Sequence, residues 1–147
     1  MPDTLPNEPL TPPTSLEEII ENFELLEDWD DRYGYLIELG RSLTPMPTAA
    51  MVDANRVNGC VSQVWLLPRP GAGGKLSFLG ASDAHIVSGL VAIALAIFSN
   101  RTPQQIVALD EQETFHAIGL GEHLSQQRAN GLRALVERIK TVARAAA

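Results

Sequence analysis

Apolar residues first recur at helical spacing at Ile19, Ile20, Phe23 and Leu26, the pattern of a helix with one face on a core. Ser15, followed three residues later by Glu18, is a capping-box pattern that marks where this helix starts. Asp28 is expected to cap a second helix running to about Leu43, with Trp29, Tyr33, Leu36, Ile37 and Leu39 turned inward. Thr44-Pro45-Met46-Pro47 ends that pattern, and 44–55 reads as a loop or a short helical turn. Three short strands are expected next, over 56–58, 62–67 and 75–80. In the second, Val64 and Leu66 share one face and Trp65 and Leu67 the other. The glycine-rich run 68–74 is expected to be a hairpin connection. A phosphate-cradling loop would need a Lys-Ser/Thr pair and a helix directly after the glycines, and neither follows.

Ser82 is expected to cap a long apolar helix over 83–99. Ile86, Leu90, Ile93, Ala94 and Ile97 carry its period, and Val87, Val91, Leu95 and Phe98 widen the stripe. A helix apolar around most of its circumference is buried, so this one should be the central core helix, packed on the sheet. Asn100 can end it in the left-handed geometry. Thr102 and Pro103 open a short helix, and 111–118 forms another. Ser125 caps the last helix, 126–144, with Leu132, Leu135, Val136 and Ile139 facing inward. One block of strands between helical blocks implies an α+β fold: a small antiparallel sheet of about three strands with helices on one face.

The 147 residues suit one domain with a real core. Residues 1–13 are proline-rich and carry Asp3 and Glu8 but no Lys or Arg, unlike a signal peptide or a basic transit peptide. They offer too little apolar surface to offset their ordering entropy. The expected organisation is a disordered or extended tail over 1–14 and a single domain over 15–147. A net charge of −7 argues against nucleic acid or an anionic membrane as the partner. No segment reaches the roughly 18 apolar residues that span a bilayer. The charge is uneven: twelve acidic residues face two basic ones up to Asn55, and five basic face one acidic from Leu124 on. The helix dipole accounts for Lys140 and Arg144 near a C-terminus, but not for Arg128, which falls in a first turn where a cation is disfavoured. A residue that breaks a local rule often serves a site. The acidic cluster Glu24, Glu27, Asp28, Asp30 and Asp31 reads as a solvated face and a helix N-terminus, not as a metal site, because no His or Cys lies near it.

The candidate chemistry centres on Arg56-Val57-Asn58-Gly59-Cys60-Val61-Ser62-Gln63-Val64-Trp65. Cys60 is the one cysteine of the chain, which excludes an internal disulfide and suits a reducing compartment, here expected to be the cytoplasm. It falls where a Gly-containing bend enters a strand, a place from which a braced loop can present a thiol. The alternative for such a cysteine is a small buried hydrophobe without chemistry.

The run Gly59-Cys60-Val61-Ser62-Gln63-Val64-Trp65 resembles the signature of the SufE family of sulfur-acceptor proteins. Gly80-Ala81-Ser82-Asp83-Ala84 with Ile86-Val87 and Gly89-Leu90 is similar to the family's Gly-x-Ser-Asp-Ala segment. Thr102-Pro103-Gln104-Gln105-Ile106-Val107 and His123-Leu124-Ser125 with Arg128, Gly131 and Leu132 also match in order. Gln126-Gln127 replaces a more usual Thr-Pro-type turn. The resemblance implies an α+β fold shared with iron–sulfur scaffold proteins. It implies that Cys60 takes persulfide sulfur from a cysteine desulfurase, a pyridoxal-phosphate enzyme. The chain would stimulate that enzyme by removing its product and deliver the sulfur to a cluster scaffold. It would be a carrier and activator without a cofactor or metal of its own. Arg128 would stabilise the thiolate or contact the partner, with Gly59, Ser62, Gln63, Asp83 and His123 in support.

A thiolate is the attacking form in such a transfer, so a positive neighbour would help. The apolar neighbours Val57, Val61, Val64 and Trp65 favour a Cys60 tucked against the core in the free protein. Gly59 would be the hinge, and Asp83 would help hold the closed loop. Two other readings remain. An iron–sulfur or metal scaffold would need several ligands around Cys60, and a stand-alone cysteine hydrolase would need a Cys60–His123 thiolate–imidazole pair.

Overall fold

The computed structural model describes residues 14–59, 62–120 and 123–147. Nearly all of the expected tail, and Cys60 itself, thus lie outside the described residues. The chain begins with α1 (Leu16–Leu25) and α2 (Trp29–Arg41). Ser15 caps α1 by accepting the Glu18 N–H at 3.2 Å, and Asp28 caps α2 through the Asp30 N–H at 3.1 Å, as the spacing predicts. Two 3-10 turns, Thr48–Ala50 and Asp53–Asn55, lead to an antiparallel pair of strands, β1 (Val64–Pro70) and β2 (Leu76–Ser82). Four helices follow: α3 (His85–Phe98), α4 (Pro103–Ala108), α5 (Glu111–Ala117) and α6 (Gln126–Ala146). The α+β class stands.

The described sheet has two strands, not three. The segment expected to be the first strand contributes a single bridge, Arg56 to Trp65, and then turns away. β1 also runs through both prolines to Pro70, past the expected end at Leu67. The register explains why. Leu76 donates its N–H to the Arg101 carbonyl at 2.7 Å and accepts the Asn100 N–H at 2.7 Å, away from β1. Pro70, opposite Leu76, is therefore in a non-hydrogen-bonded pair, and so is Pro68, two residues earlier. A proline there forfeits no ladder bond. Asn100 adopts φ +61°, the left-handed geometry expected after α3.

The central helix starts later than expected. Ser82 does not cap α3; its Oγ accepts the Ala84 N–H at 3.2 Å, and Ala84 holds the cap position without a side-chain bond. Asp83 is drawn off the helix by Gln63, whose carbonyl accepts the Asp83 N–H at 3.2 Å. From Gly89 to Leu95 every residue of α3 is buried, as are Ile97 and Phe98. The helix packs against α2, β2 and α6. The α2–α3 crossing is close because it is made of glycines. A Cβ on Gly89 would overlap the Leu36 carbonyl, and one on Gly40 would come within 2.7 Å of the Ser88 Cβ. α6 crosses α3 and α4, burying Leu132, Leu135, Val136 and Ile139.

Candidate functional site

The cysteine loop is built between two backbone fastenings. The Val57 N–H donates to the Val64 carbonyl at 2.8 Å, which ties the residues on either side of the cysteine motif together. Val57 and Val64 are buried and anchor it in the core. Gly59 adopts φ +95°, a conformation a side chain would resist, and a Cβ there would lie 3.2 Å from the Ala134 Cβ of α6. The far end is tied to the approach to α3. The Asp83 carboxylate Oδ1 accepts the Gln63 N–H at 3.0 Å, and Gln63 returns its carbonyl to the Asp83 N–H. Asp83 thus fastens Gln63, at the expense of the helix start that Ser82 and Asp83 were expected to make.

Ser62, beside Val61, lines a cavity of about 630 Å³ between the loop, α3 and α6. Its walls are mainly aliphatic, with Ile86, Leu90 and Leu132 among them, and its polar members include Ser62, His85 and Arg128. Arg128 lies in the first turn of α6, where its backbone N–H donates to the Ser125 capping oxygen at 3.2 Å. Its side chain is exposed. It takes part in neither ion pair found among the described residues, Glu38–Arg41 and Glu111–Lys140. An arginine placed this way offers its full charge to an anion in or at the mouth of the cavity.

The structure thus brings together Gly59, Ser62, Gln63, Asp83 and Arg128, and separates His123 from them. The His123 ring stacks on Trp29 with centroids 3.9 Å apart. Its carbonyl accepts the Tyr33 hydroxyl at 2.6 Å, and it does not line the cavity. The histidine at the cavity is His85. The family resemblance singles out His123 as a supporting residue, but the chain turns its ring toward α2. Two contributions from α6 were missed altogether, Ala134 against Gly59 and Arg138 on the loop stem. They lie four residues apart and hence on one helix face, which is the signal that could have found them.

Among the described residues no group of three or more His, Cys, Asp or Glu side chains is placed to hold a metal ion. No described helix is long and apolar enough to cross a membrane.

A family model described as "SufE: Fe-S metabolism associated domain" matches residues 17–143. An uncharacterized SufE-like protein of Rhizobium meliloti (strain 1021) is 51% identical over 133 residues, covering 88% of this chain and 95% of the relative. Another, from Rhizobium etli, is 49% identical over 133 residues, covering 88% and 90%. The solution structure of a hypothetical protein from Thermus thermophilus superposes with a TM-score of 0.70 at 22% identity, covering 93% of this chain and 98% of that one; it has the same fold. The chain belongs to the SufE family and carries the domain associated with iron–sulfur metabolism.

Proposed function

We propose that this chain is a sulfur acceptor of iron–sulfur cluster assembly, acting through Cys60 as a single domain over 15–147 in the cytoplasm. The observation that carries the reading is the cavity shared by Arg128 and Ser62, the latter two residues from Cys60. The thiol loses its proton to solvent or buffer, and the thiolate attacks the outer sulfur of the persulfide on a cysteine desulfurase. The new bond joins that sulfur to the Cys60 Sγ. The S–S bond of the donor breaks, and its electron pair leaves on the donor's thiolate, which is thereby freed for another turnover. Sulfur changes carrier with no net oxidation or reduction.

Arg128 favours the anionic forms at both ends of this step, or receives the partner's negative charge. The mainly aliphatic walls beside Ser62 would disfavour water and stray thiols near a sulfur carried on Cys60, which then passes to a cluster scaffold. The partner supplies the pyridoxal phosphate chemistry, and this chain needs none of its own. The test is intact-mass analysis after incubation with a cysteine desulfurase, pyridoxal phosphate and cysteine. One added sulfur on Cys60 is expected.

A further inference from the structure

The cavity beside Ser62 grades from cationic to apolar along α6. Arg128, Leu132 and Leu135 all line it, and their spacing of four and then three residues puts them on one face of the helix. Leu132 and Leu135 are buried, as is Leu90, which lines the cavity from α3. Arg128 and His85 are exposed, so the cation and the imidazole stand at the mouth and the leucines inside. From Arg128 to Leu135 the helix rises about 10 Å, the length of a medium-chain acyl group. The volume of about 630 Å³ is that of a small-molecule site.

Charge decides what kind of molecule suits it. The chain has 18 Asp and Glu against 11 Lys and Arg, yet none of the described residues that line the cavity is acidic. Its fixed charge is Arg128, which stands outside both ion pairs found among the described residues. A cationic ligand would be repelled there, and a neutral apolar one would cover the guanidinium without pairing it. We infer that the cavity binds a small amphiphilic carboxylate, its head group on the Arg128 guanidinium beside His85 and its aliphatic chain against Leu90, Leu132 and Leu135. Covering the aliphatic walls supplies the affinity, and the guanidinium supplies the preference for an anion. A bound carboxylate neutralises the charge that sulfur acceptance uses, so occupancy should slow acceptance. That consequence rests on the sulfur-acceptor reading, and the binding itself does not.

The experiment titrates the full chain, isotope-labelled and without a desulfurase, and follows its amide chemical shifts. The probes are octanoate, propionate, which keeps the head group and lacks the chain, and octyltrimethylammonium, which keeps the chain and reverses the charge. Octanoate should bind at least about tenfold more tightly than either and shift the amides of Leu90, Leu132 and Leu135. Arg128→Ala should weaken octanoate about tenfold, and Arg128→Lys by less, since the charge remains and the fork is lost. Octanoate no tighter than the ammonium or propionate would overturn the inference. So would shifts confined to other surfaces, or an unchanged octanoate affinity in Arg128→Ala. Should Arg128→Ala fail to fold, the probes on wild type carry the test. A wild type that accepts no sulfur from a desulfurase removes the proposed function and leaves the binding standing or falling on its own titration.

Discussion

Asp83 and Gln63 exchange two hydrogen bonds across the far end of the cysteine loop: side chain to backbone at 3.0 Å and backbone to backbone at 3.2 Å. Asp83 ties Gln63 to the approach to α3, and under the sulfur-acceptor proposal this fastening holds the far end of the cysteine loop in the free protein. Asp83→Ala removes the side-chain acceptor and keeps the backbone bond. The lost bond is worth about 1 kcal/mol, or about fivefold in the open population. Cys60 alkylation in the free protein should rise by about that factor. Asp83→Asn retains an acceptor oxygen and should stay near wild type. Equal rates in all three proteins would show that Asp83 does not hold the loop. A desulfurase should accelerate alkylation in wild type more than in Asp83→Ala, because a partner that binds the open loop shifts the same equilibrium.

Arg128 combines an unfavourable helix position with an exposed charge at the cavity, outside both ion pairs of the described residues. Arg128→Ala should change stability by less than about 0.5 kcal/mol, as surface substitutions do. It should slow sulfur transfer by about tenfold. Raising the ionic strength should slow wild type and leave the variant unaffected, since the contribution is that of an exposed charge. A large fall in the unfolding midpoint with an unchanged rate per folded molecule would make Arg128 structural.

The α2–α3 crossing sets the position of α3 and with it the wall of the cavity. Gly89→Ala puts a methyl group into the Leu36 carbonyl and should cost about 1–3 kcal/mol in denaturant unfolding. Gly34 lies in the same α2, and a Cβ there meets nothing within 4 Å. Gly34→Ala should add about 0.5–1 kcal/mol through helix propensity. Opposite signs at the two glycines are the outcome that the packing requires.

Much of this molecule was legible in its sequence because the signals were local. Ser15, Asp28, Thr102 and Ser125 each cap the helix they were expected to cap, since capping depends on a spacing of two or three residues. The apolar circumference of α3 translated directly into burial. What was not legible depended on partners distant in sequence. Gln63 competes for Asp83 and delays the start of α3. Leu76 turns its polar groups toward Arg101, which lets β1 pass through two prolines. His123 pairs with Trp29 at the far end of the chain, and no pattern around the histidine reports that. Arg138 carries an ordinary surface charge in the sequence, and only the fold brings it to Ala54 and Arg56.

The central claim is that Cys60 is the atom-bearing site of a sulfur carrier. The most direct measurement is the intact mass of the chain, with peptide localisation, after incubation with a cysteine desulfurase, pyridoxal phosphate and cysteine. Wild type should gain one sulfur atom, on the peptide containing Cys60. Cys60→Ser has a hydroxyl that stays protonated at neutral pH, and it should fold normally and gain none. No added mass on wild type, or the same added mass on Cys60→Ser, would contradict the account.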